Sequence, residues 1–200
     1  MRRFSWPIAT LLTVSSISMH AAAEPARLDD GAVTYTVTHR FKTFEGIVPA
    51  ADLDASLSYD ARAPEDLSFQ VTIPLGAFDS GNQLRDQHAA EALELFEFPQ
   101  AVWTVDAVKV VSTMAQDDGT IDSELAVSGP LTLHGVTRTL QTKVTLNHDP
   151  DTDSGQALRV WDTFNLNLSD HDIERPGLLG IKVEDAVPVA VELSFTWPSS

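Results

Sequence analysis

The sequence has no cysteine among its 200 residues. A disulfide framework is excluded, and so is a lipid-modified amino-terminal cysteine, so stability has to come from packing alone. Basic residues are also scarce: 13 Lys and Arg stand against 29 Asp and Glu, a formal charge of -16. That balance argues against nucleic acid or an anionic lipid surface as an electrostatic partner. Solubility accounts for the acidity more simply than a dedicated basic partner does. Apolar runs long enough to span a membrane are missing too, since Phe4 to Ile17 is short and rich in Ser and Thr. The chain further lacks a Gly-x-Ser-x-Gly elbow, a His-Glu-x-x-His pair, a Gly-rich phosphate loop and a basic aromatic platform.

What is present begins with a leader. Arg2 and Arg3 precede the apolar run, and Ala21, Ala22 and Ala23 supply small residues for cleavage, a pattern that reads as a secretory signal over residues 1–23. Removal of the leader leaves 11 basic against 29 acidic residues, a charge of about -18, on a mature chain starting at Glu24. Residues 24–200 contain no stretch of linker composition and are expected to form one domain.

Period-two alternation dominates this domain. From Ile181 to Trp197 every second residue is apolar except Asp185, a run of seventeen residues. Similar alternation occurs around Val33 to Thr38, Asp52 to Tyr59, Leu67 to Ile73, Leu125 to Leu133, Val136 to Leu146 and Leu158 to Leu168. Gly46 and the mixed phase between Ala101 and Val111 suggest bulges, His134-Gly135 a tight turn, and Asn147 to Gly155 a polar loop. Between the fourth and fifth strands, Asn82 to Phe96 reads as a helix capped by Asn82 and stopped by Pro99, with Leu84, Ala92, Leu95 and Phe96 near one face. The expectation is an all-β fold of about eight antiparallel strands with one inserted helix. Alternation alone leaves open whether these strands close into a barrel or stack as a sandwich.

Four strings together resemble the YceI-like family of exported, polyisoprenoid-binding, lipocalin-like bacterial proteins: Tyr35 to Gly46, Ser80 to Pro99, Gly129 to Thr139 and Ile173 to Val187. The most specific piece is Gly81, Asn82, Arg85, Asp86 and His88 leading through the helix to Phe98-Pro99, where the family usually has Tyr before Pro. The resemblance spans essentially the whole mature chain. It implies an up-and-down eight-stranded β-barrel with the helix as a flap, an isoprenoid lipid or quinone as bound ligand, and a periplasmic location.

A hydrocarbon guest gains about 0.8 kcal/mol per buried methylene, so the pocket has to be apolar and wide. Its candidate lining is Phe41, Phe44, Leu57, Phe69, Ile73, Phe78, Leu93, Phe96, Trp103 and Leu133, against the plainer reading of the same residues as an ordinary core. A polar head would find donors in Asn82, Arg85 and His88 at the helix start and in Arg175, unless these only cap the helix and brace loops. His39, His88, His134, His148 and His171 have no recognised metal-ligand spacing, and no metal and no catalytic cofactor are expected. The expected function is non-enzymatic carriage or sequestration of a long-chain amphiphile. Two alternatives remain, a hydrolase on a lipid-like substrate with His88 or His134 as base, and a solid-cored interaction protein. The expected partner is an amphiphilic small molecule, with no nucleic acid and no stable membrane anchor; transient contact with a membrane or membrane protein, and a homodimer, stay open.

Overall fold

The computed structural model describes residues 26–152, 155–178 and 181–197, so the expected leader and the mature start at Glu24 lie outside the described residues. The strands are β1 (Arg27–His39), β2 (Lys42–Pro49), β3 (Asp54–Ser58), β4 (Ser68–Pro74), β5 (Gln100–Thr104), β6 (Ala107–Ala115), β7 (Ile121–Leu133), β8 (Val136–Thr152), β9 (Gly155–Asn167), β10 (Gly177–Leu178), β11 (Ile181–Lys182) and β12 (Ala186–Trp197). A single described α-helix, α1 (Gln83–Ala92), lies between β4 and β5.

Apart from β10 and β11, which pair with each other, every strand joins one antiparallel sheet in the order β2-β1-β12-β9-β8-β7-β5-β4-β3, with β6 also on β7. Two staves of the wall are bent and each is built from two strands. β2 passes through a short turn at Ala50–Asp52 into β3, and β5 passes through Val105 and Asp106 into β6. Counted this way the wall has eight staves, each beside its sequence neighbour, and β12 returns to β1. This is the up-and-down barrel, and its closure removes most of the free edge that an open sheet would expose.

The ring is tightest between β7 and β8, which pair over 13 residues, and between β9 and β12, which pair over 12, whereas β8 and β9 pair only between Thr145 and Thr152, with a shift of register. It is loosest along the bent stave of β2 and β3. There the upper strand pairs only with β1 and the lower only with β4. Two local ties complete the seam: Ile47 and Asp79 exchange backbone hydrogen bonds of 2.9 and 3.1 Å, and Ala26 N–H donates to Leu57 C=O at 3.2 Å.

The core divides along the barrel axis. Near the chain ends, Leu125, Leu146, Leu158, Leu193 and Phe195 are no more than 1% exposed and form one cluster with Leu57, Phe69, Val71, Trp103 and Trp197. Toward the end that carries α1, a smaller cluster gathers Leu75, Ala101, Leu133 and Ile173.

Several local expectations are corrected. The final alternating run is not one strand: β12 starts at Ala186, because the chain bends through Val183 to Asp185, where Asp185 accepts hydrogen bonds from the Ser169 amide at 3.0 Å and its hydroxyl at 2.5 Å. The polar stretch Asn147 to Gly155 is mostly strand, since Asn147, His148 and Asp149 pair with Arg159, Leu158 and Ala157 and the His148 ring is buried against Tyr59 and Trp197. β2 is unbroken at Gly46; the glycine is required because a Cβ there would lie 2.2 Å from the Tyr35 ring on the next strand. The helix ends at Ala92 rather than Phe96, as Glu94 enters the left-handed region at φ 49° and the chain turns back. Leu84 and Phe96 consequently point to solvent.

Candidate ligand-binding site

Inward positions follow from the register. Tyr35 faces Val189 and Gly46, Val37 faces Phe44, and Val189 in turn faces Phe164, so these side chains share the concave face of β1, β2, β12 and β9. Leu166, two residues beyond Phe164, continues that row. All are only half-buried, in contrast to the closed row of Leu158, Leu193 and Phe195 farther down the same strands. The end near α1 therefore presents an apolar concave surface that the protein's own side chains leave partly uncovered.

The segment entering α1 fills the gap between β2 and β4. Phe78 packs on Tyr35 with ring centroids 4.7 Å apart. Arg85 lies over Phe44, its Cζ 5.1 Å from the ring centroid, while Nε donates to the Ser80 hydroxyl at 3.1 Å and Nη2 to the Ser80 carbonyl at 2.6 Å. Asp86 accepts from the Ser80 amide at 3.1 Å, and Asn82 Oδ1 accepts from the Arg85 amide at 3.1 Å as the helix cap. Burial, with the Asp86 carboxylate nearby, pushes the Tyr35 phenol up to about 12. Tyr35 is thus a neutral hydrogen-bonding group at the rim.

The far end of the flap is held by a different set of contacts. Leu93 and Leu95 pack into the upper cluster beside Phe78, Ile73, Leu166 and Leu168. At the β7–β8 turn both residues adopt positive φ, His134 at 50° and Gly135 at 72°, which seats the His134 ring against Phe98 with centroids 4.7 Å apart. His134 Nδ1 lies 3.1 Å from the His171 carbonyl, and its Nε2 3.4 Å from a Glu94 carboxylate oxygen. Helix α1 itself buries no residue. It is fastened at its two ends rather than along a face.

The sequence candidates fall into four places. Phe44, Ile73, Phe78, Leu93 and Leu133 converge at the upper end, the first four half-buried and Leu133 buried. Leu57, Phe69 and Trp103 belong to the lower core, where Phe69 meets Trp103 and Phe195 edge-on at 5.8 and 6.3 Å. Phe41 is 73% exposed at the β1–β2 turn beneath the Arg40 guanidinium, and Phe96 is fully exposed beyond the helix, where it borders an outer concavity of about 490 Å³. Of the head-group candidates, Asn82 and Arg85 stand at the upper rim, and His88 and Arg175 are exposed. Among the described residues no group of three or more His, Asp or Glu is placed to hold a metal ion.

Sequence reading missed Tyr35, Phe164, Leu166 and Val189, which became visible as a row only through the register. It also passed over Asp162, although the signal was there: Leu158, Val160, Phe164 and Leu166 put position 162 on the inward face.

Comparison with known proteins bears on the whole of this architecture. The profile of the family described as YceI-like domain matches residues 23–195. A UPF0312 protein of Pseudomonas putida is 33% identical over 129 residues, which span 63% of this chain and 62% of the relative's length. Among solved structures, BcnA of Burkholderia cenocepacia superposes with a TM-score of 0.66 at 20% identity, covering 83% of this chain and 96% of that one. A domain from Saccharophagus degradans, described as polyisoprenoid binding and implicated in plant cell wall breakdown, gives a TM-score of 0.63 at 16% identity over 88% of this chain and 100% of its own. At such identities the two structures speak for the fold.

Proposed function

The chain belongs to the YceI-like domain family, and from that premise we propose that it is a non-enzymatic carrier or sequestering protein for an amphiphile with a long, isoprenoid-type apolar chain. The chain of the guest lies along the concave surface of Tyr35, Phe44, Phe164, Leu166 and Val189, under the flap that α1 closes at its two ends. The observation that carries this reading is the contrast in burial within single strands. β12 buries Val187, Leu193 and Phe195 yet leaves Val189 and Val191 half-covered between them on the same face, and β9 buries Leu158 but leaves Phe164 and Leu166 half-covered. A folded domain that packs the rest of these strands to a few per cent exposure has no packing reason to leave equally apolar Val189, Val191, Phe164 and Leu166 half-covered. The description of the Saccharophagus neighbour as polyisoprenoid binding supports the same class of guest.

The rim supplies few polar groups, which suits a ligand bound by its tail. Tyr35 offers a neutral phenol, and Arg85 keeps Nη1 for a head group while its other nitrogens hold Ser80. We place the protein in the periplasm after removal of residues 1–23, with residues 24–200 as one domain and any membrane contact transient.

Organic extraction of the protein purified from its natural compartment, followed by mass spectrometry, tests the proposal. A long-chain lipid is expected at near-stoichiometric level, and repeated recovery of none overturns it. Turnover of a lipid ester that vanishes on substitution of His88 or His134 would instead make the protein an enzyme.

A further inference from the structure

Asp162 is an anomaly inside the barrel. Its register partner on β12 is Val191, which pairs onward with Val33 and then Val48, so the carboxylate lies in a ring of valines. It is 6% exposed. One oxygen, Oδ1, accepts a hydrogen bond from the Thr142 hydroxyl at 2.7 Å. The other, Oδ2, is buried without a hydrogen-bond partner. None of the ion pairs among the described residues involves it.

Its height in the barrel gives this arrangement a use. Along β9, Leu158 and Val160 below it belong to the filled core, whereas Phe164 and Leu166 above it are half-covered. At roughly 3.3 Å of rise per residue, Asp162 lies about 13 Å along the strand from Leu166, at the floor of the uncovered half. Burial raises the carboxyl above its ordinary range, against the pull of the Thr142 hydroxyl and the Thr163 amide, which marks a group that water solvates poorly. A buried acceptor without a partner is costly, and a donor delivered to it is correspondingly favoured.

We propose that Asp162 is a specificity-determining residue: Oδ2 accepts a hydrogen bond from an O–H or N–H group of the guest that reaches the floor, so the protein prefers long-chain alcohols and amines to chains that offer only acceptors or hydrocarbon. This inference rests on the carrier reading and deepens it. The guest's donor lies at its leading end, its hydrocarbon runs along Phe164, Leu166, Val189 and Tyr35, and any second polar group stays at the Arg85 rim. Thr142 holds Oδ1, which leaves Oδ2 as the available acceptor.

The test uses the full mature chain and displacement of bound Nile red by hexadecanol, hexadecylamine and methyl palmitate, in wild type, Asp162→Leu and Asp162→Asn, with thermal melts to confirm that each variant folds. Wild type is expected to bind hexadecanol or hexadecylamine roughly tenfold tighter than methyl palmitate, the size of one hydrogen bond to a buried carboxylate. Asp162→Leu should erase that preference while keeping affinity for methyl palmitate. Asp162→Asn should retain the alcohol preference in part and lose that for the amine, which separates a hydroxyl from an ammonium as the natural donor. Equal binding of all three probes by wild type, or an unchanged preference in Asp162→Leu, overturns the role of Asp162 and leaves the carrier reading in place. Failure of every probe and of Nile red to bind overturns the carrier reading, and the inference with it.

Discussion

The two ends of this barrel are made of the same strands and nearly the same residue types, yet they do different work. Around Leu125, Leu146, Leu158 and Phe195 the inward side chains interlock and exclude solvent completely. Around Tyr35, Phe44, Phe164 and Val189 equally apolar side chains line a surface that the described residues cover only in part. Hydrophobic patterning therefore specifies which face points inward and stops short of specifying whether that face is filled. Filling depends on ring size and on what crosses the opening. At the lower end Trp103, Trp197, Phe69 and Phe195 supply the volume, while at the upper end, where β2 and β4 do not pair, Phe78 packs on Tyr35 and Arg85 lies over Phe44.

The largest expected difference between the two ends is energetic. Phe195→Ala should cost about 3 to 5 kcal/mol in denaturant unfolding, and Val189→Ala about 1 kcal/mol, because only the first opens a cavity in packed surroundings. Equal losses would erase the distinction. Overpacking sharpens it from the other side. Leu125→Trp should destabilise by about 1 to 3 kcal/mol, whereas Val189→Trp should leave stability nearly unchanged and weaken Nile red binding roughly tenfold.

At the boundary between the ends, Asp162 makes stability depend on pH. Its folded value is raised above the ordinary 3.8 by burial, so the folded state holds the proton more tightly than the unfolded chain does. The stabilising contribution is complete below that ordinary value and is lost as pH rises through the higher folded one. Asp162→Asn should remove this slope, measured as urea midpoints across pH 3 to 8. A slope of the same size in the variant would assign it to other groups. The smallest effect is expected at the flap, where Asn82→Ala removes a cap of about 1 kcal/mol or less. Since α1 buries no residue, that loss should appear as faster amide exchange at Arg85 and Asp86 with little change in global unfolding.

Much of the wall was legible from period-two alternation, because a strand with one dry face and one wet face has little choice of register. The tight turn at His134-Gly135 was legible from residue type, and so was the Asn82 cap. What escaped were features set by distant partners. Gly46 signals a neighbour's ring rather than a bulge, and the end of α1 is decided at Glu94 by packing of Leu93 and Leu95, not by Pro99. For the site, the upper group of Phe44, Ile73, Phe78, Leu93 and Leu133 could be picked out as large apolar residues. Their separation from Leu57, Phe69 and Trp103 could not, since height along a barrel axis leaves no mark in local sequence. Asp162 was readable in principle as the polar break in an inward row.

The pairing of Arg27 with Thr196 has a further consequence. Both ends of the described wall emerge side by side from the solid floor of the barrel, on the side away from α1. A tether, a fused reporter or a surface linkage joined at residue 26 or 197 would hang from that floor and hold the end near α1 outward.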